Sequence, residues 1–158
     1  MTWLADAPPD ASLADLVALR PGLRPRVQDL LTELWEGGAV PVRVLELCRL
    51  RAAMLLRCAP ELASRTPAAA IDEDLVAALA RWPDDPRFDP TDRACLEFTE
   101  QFVIDPHGVS DAQVGAVRGV LGDEGAVALT VGLALFEGFA RAQQTLGVTV
   151  PDHGEVWR

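Results

Sequence analysis

An all-α, single-domain bundle of seven or eight helices is what this sequence predicts, and three observations carry it. Apolar residues recur at helical spacing in nearly every segment, and none alternates convincingly like a strand. Ser, Asp, Pro and Gly stand where helices start and stop. The length, 158 residues with 49% hydrophobic and 24% charged, suits one domain with a core of its own.

The elements follow in order. Ser12 caps a short helix carrying Leu13, Leu16, Val17 and Leu19, stopped by Pro21 and Gly22. Val27, Leu30, Leu31, Leu34 and Trp35 form the next apolar stripe, ended by Gly37 and Gly38. Pro41 opens a helix to about Arg57 that is apolar on most sides and is therefore expected at the centre. The stretch from Cys58 to Glu61 reads as a break followed by a new helix, which Thr66 and Pro67 interrupt. One helix is expected from Asp72 to Trp82, then a polar loop from Pro83 to Arg87. Asp89 and Pro90 start a helix to about Phe102. Ser110 and Gln113 make a capping box, Gly122 and Asp123 a turn, and a long apolar helix runs from Glu124 to Leu146 before Gly147. Residues 149–158 are expected to be a loose tail.

The charge narrows the function classes. Twenty-four acidic against 14 basic residues give −10, a surface that a phosphate backbone repels, so no nucleic-acid partner is expected. Every basic residue is Arg; there is no Lys or Tyr, which excludes Schiff-base lysines and tyrosine acids. The chain begins MTWLADAPPD, with no basic and apolar leader, and its longest mostly apolar run, 126–136, is about half a bilayer span. A soluble, cytoplasmic protein without membrane partners is expected. The three cysteines have no CxxC, and His107 and His153 sit in a loop and a tail, so no metal site and no cofactor are expected.

Two residues stand out. Glu46 lies inside Val44-Leu45-Glu46-Leu47-Cys48, where a carboxylate must face a pocket or an Arg. Arg43 and Arg57 lie within about 60° of it around an ideal helix and are the expected partners. A pocket would suit general acid/base work; a helix-face ion pair is the plainer reading. Cys58, at the start of the next helix, is placed for a stabilised thiolate, or it is a small buried hydrophobe. Glu61 and Arg65 have the spacing of an i, i+4 surface pair. Cys95 reads as core, His107 as a turn residue, Trp82 and Phe88 as packing beneath their loop, and Glu137 with Arg141 as an i, i+4 pair.

The segments from Glu46 to Arg51 and Leu55 to Cys58, the run from Trp82 to Phe88 followed by Thr91 to Phe98, and the closing Phe136 to Arg141 with Leu146 to Val148 together resemble the alkylhydroperoxidase D-like (AhpD-like) / carboxymuconolactone decarboxylase superfamily. The resemblance covers about residues 35–150. It implies an all-helical fold and a homo-oligomer, a trimer or hexamer. In redox members a Glu is followed twelve residues on by CxxC, with a His four residues after the second Cys. Here Glu46 and Cys58 match the Glu and the first Cys, while Glu61 and Arg65 stand at the second Cys and the His. The redox pair is therefore absent.

The resemblance leaves three readings open. The leading one is a diverged, non-redox lyase, isomerase or decarboxylase acting on a small organic acid. Glu46 and Glu61 would then do acid/base work, with Arg65 or Arg57 holding the substrate carboxylate. The alternatives are an antioxidant thiol peroxidase using Cys58, and a non-catalytic oligomeric binding module.

Overall fold

The computed structural model describes residues 2–8 and 10–149. The expected tail beyond Thr149, with His153, lies outside the described residues. Seven α-helices appear in order: α1 Leu13–Ala18, α2 Arg24–Glu36, α3 Val42–Leu56, α4 Ala59–Ala63, α5 Glu73–Ala78, α6 Pro90–Ile104 and α7 Asp111–Thr145. Short 3-10 turns cover Pro67–Ala69, Leu79–Asp84 and Pro106–Gly108, and no strand occurs among the described residues.

Local chemistry accounts for the boundaries. Ser12 with Asp15, Asp89 with Asp92, and Ser110 with Gln113 form capping boxes at the starts of α1, α6 and α7. Gly38 and Gly147 follow α2 and α7 at positive φ. Helix α3 ends at Arg57 in the left-handed region, φ 54 and ψ 39, a place glycine usually takes. The Cys58 amide donates back to the Ala53 carbonyl at 3.0 Å, and the chain turns at once into α4.

One expectation needs correction. Asp72 to Trp82 is not one helix: α5 stops at Ala78 and a 3-10 segment follows, kinked at Arg81 (φ −130). Pro83, two residues on, has no N–H to continue an α ladder, and its ring crowds the carbonyl four residues back at Leu79. The turn expected at Gly122 is present: its φ of 73 and ψ of −179 break α7 into two helical arms.

The core lies where α3, α6 and α7 meet. Leu45, Leu47 and Leu50 of α3 are fully buried with Leu96 of α6 and Leu129 and Leu133 of α7. Helix α3 is buried on nearly all sides, as its apolar pattern predicts. Gly132 lets α7 approach closely, since a Cβ there would lie 3.2 to 3.3 Å from Leu34 and Leu45 side-chain carbons. An 18-residue stretch of α7 has mean hydropathy 1.5 and is 28% buried, and the helix contributes Leu129, Leu133 and Phe136 to this core. Trp82 and Phe88 are buried, and the Trp82 indole N–H donates to Glu100 at 2.7 Å.

Candidate functional site

The middle of α3, the short α4 and the last turns of α7 converge around one guanidinium. Arg49 is 2% exposed, and each of its five N–H groups has an acceptor. Nε and Nη2 donate to the two oxygens of Glu46 at 2.7 and 2.8 Å. Nη1 donates to the Glu61 carboxylate at 2.7 Å and the Glu61 carbonyl at 2.9 Å. The remaining Nη2 hydrogen reaches the Ser64 carbonyl at 2.9 Å. Burial works against the charge on Arg49, but the hydrogen bonds and charge of Glu46, with those of Glu61, outweigh it and hold its pKa above the ordinary value.

The carboxylates are equally engaged. Glu46 also accepts the Thr66 amide at 3.0 Å and the Thr66 hydroxyl at 3.1 Å, giving each oxygen two donors. The other oxygen of Glu61 accepts from Nε2 of Gln143 on α7. Glu46 and Glu61 are both buried. The cluster ties α3, α4, the segment after α4 and α7 into one closed polar unit.

The partners expected for Glu46 are corrected. Arg43 pairs instead with Asp92 at 2.7 Å, and Arg57 is an exposed helix cap. The i+3 residue Arg49 takes their place, because its angular offset around the helix matches that of Arg43 while it points toward α4. Glu61 and Arg65 are not a surface pair either. Glu61 is buried on Arg49, whereas Arg65 forks onto Glu73, with Nε and Nη2 at 2.8 and 2.9 Å from its oxygens.

Cys58 is the N-cap of α4 and is fully buried, its sulfur 3.8 Å from the Ala140 carbonyl oxygen. Burial raises its pKa above the usual thiol value; the backbone N–H of Glu61 and the charge of Arg49 oppose that rise without overcoming it. Of the two readings of Cys58, the small buried hydrophobe fits: a five-residue helix in a dry setting does not offset the desolvation of a thiolate. Cys48 precedes Cys58 by most of a helix, about 12 Å of axial rise, beyond disulfide reach. Burial also raises the pKa of Cys48, with further contributions from Cys95 and Asp92, and pushes Cys95 up to about 12.

A cleft of about 420 Å³ lies beside the cluster, lined by α2 residues including Trp35 and Glu36, by Val42, and by residues 65–68. Thr66 is common to both: it lines the cleft and hydrogen-bonds Glu46. Arg49, Thr66 and Gln143 carry the arrangement, and sequence reasoning assigned none of them. The legible signal was Arg49, a guanidinium three residues after Glu46 in an otherwise apolar helix.

This helix order and packing are an AhpD-like fold. The chain aligns with a solved structure from Agrobacterium tumefaciens, of a protein of unknown function provisionally assigned as the antioxidant defence protein AhpD, with TM-score 0.76 and 19% identity over 88% of this chain and 97% of that one. The likeness is one of fold. No protein-family model and no curated protein matches the sequence.

Proposed function

We propose that this chain is a non-peroxidatic protein on the AhpD-like fold that acts by binding a small molecule, its buried Glu46–Arg49–Glu61 cluster serving as a structural clamp. The observation that supports this is the closure of the cluster: all five Arg49 donors and both Glu46 oxygens are engaged within the protein. A buried Cys58, its thiol held above the usual pKa by burial and about a helix's length from Cys48, supports it further. The cleft beside Thr66 is the binding volume. A cytoplasmic homo-oligomer remains part of this reading, with exposed Val127 and Val131 of α7 as an apolar face for assembly.

One observation favours a second reading, acid/base catalysis on a small organic acid. Thr66 lines the cleft and its hydroxyl donates to Glu46, so a proton path from a bound ligand to that carboxylate would run through one side chain. Arg65 on the cleft wall would hold the acid group after leaving Glu73.

The test is peptide mass spectrometry after dilute hydroperoxide, on the wild type and Cys58→Ser. All three thiols should stay reduced. A sulfenate or disulfide formed through Cys58 in the wild type, and absent from the variant, would overturn the proposal in favour of thiol peroxidase chemistry.

A further inference from the structure

The cleft has a wall of one recurring face. Gln28, Leu31, Thr32, Trp35 and Glu36 follow the i, i+3, i+4, i+7, i+8 spacing of α2, and Val42 with the turn at Thr66 and Pro67 faces them. Its two charged lining residues are Arg65 and Glu36. Arg65 is already committed: Nε and Nη2 hold Glu73, while Nη1 donates to the Leu62 and Ser64 carbonyls. Glu36 is exposed and is in no ion pair among the described residues. Behind Thr66, two carboxylates share the single Arg49, and the whole chain carries −10. The half-buried Trp35 indole, tilted 38° onto Phe136 at a centroid distance of 5.8 Å, is held in place at the wall.

We infer that this cleft binds a small organic cation, an ammonium group carrying an apolar substituent. Glu36 is its counter-ion, the Trp35 ring receives the cation on its π-face, and Leu31, Val42 and Pro67 take the apolar part. An anionic ligand would have to displace Glu73 from Arg65 and then sit beside the uncompensated charge of Glu36. The inference rests on the binding reading above and names the ligand class for it.

The experiment is a titration of the full chain with benzyltrimethylammonium and, separately, with benzoate, followed by 1H–15N NMR. The Trp35 indole signal is assigned with Trp35→Phe, and circular dichroism confirms that each variant folds. The cation should shift the Trp35 indole and the Thr32 and Ala68 amides saturably, and rising salt should weaken it. Glu36→Gln, a neutral change on an exposed position, should weaken it roughly fivefold or more. Benzoate should bind at least about tenfold more weakly than the cation. No saturable shift at Trp35, equal or tighter binding of benzoate, or an unchanged affinity in Glu36→Gln overturns the inference. If benzoate binds here and the cation does not, the ligand class is wrong and the binding reading stands. If peroxide oxidises Cys58, that reading falls whatever the cleft holds.

Discussion

Arg49 meets Glu46 fork to fork, Nε and Nη2 each facing one carboxylate oxygen at 2.7 and 2.8 Å, with both side chains almost wholly out of water. Such a pair is a weak source of net stability, but breaking it is costly, because the remaining charge has no solvent to turn to.

Arg49→Leu therefore strands two buried carboxylates and should destabilise the fold by about 3–5 kcal/mol, read as a lower urea midpoint. Replacing Glu46, Arg49 and Glu61 together by Leu should cost less than the single change. A triple variant less stable than Arg49→Leu would show that the cluster contributes more than mutual neutralisation.

Arg65 and Glu73 form the same fork geometry at the surface, with Glu73 three-quarters exposed. Solvent screening leaves such pairs little net value, so Glu73→Gln should move stability by less than about 1 kcal/mol. A change of several kcal/mol in thermal or urea melts would contradict this.

The core was legible because apolar spacing and caps act locally: Ser12, Asp89 and Ser110 each start a helix within their own first turn. The cluster was not, since the Glu61, Ser64 and Gln143 contacts with the cluster arise only once α3, α4 and α7 are packed. A helical wheel places Arg43 and Arg49 equally well against Glu46; only the position of α4 decides between them. The 3-10 turn at Leu79–Asp84 was hidden for another reason: Pro83 lacks the N–H an α ladder needs and crowds the carbonyl four residues back, inside an apolar run that reads as helix.

Alkaline pH should unfold the protein through its buried thiols. Cys95 titrates near 12 in the folded chain against 9.0 for an ordinary thiol, chiefly because burial disfavours the thiolate. The unfolded chain ionises first, so stability is full below pH 9 and falls as pH rises toward 12. Urea midpoints at a series of pH values check this, and Cys95→Ala should show a shallower decline. An equally steep decline in that variant would assign the effect to other groups.

Gly122 occupies φ 73 and ψ −179, a region only glycine enters without strain, yet nothing lies within 4 Å of where its Cβ would be. Gly122→Ala should cost about 1–3 kcal/mol through the backbone alone. Gly115→Ala, equally uncrowded but in regular helix, should instead stabilise by about 0.4–1 kcal/mol. Thermal melts of the two variants should move in opposite directions; both falling alike would show that space, not backbone geometry, limits these positions.

Helix α4 has five residues, too few to persist as a helix in water. It endures because Arg49 accompanies it from one side and Gln143 from the other. Its amide hydrogens should then exchange with solvent in step with those of the α7 end, as one cooperative unit, and not with the quick fraying typical of an isolated turn.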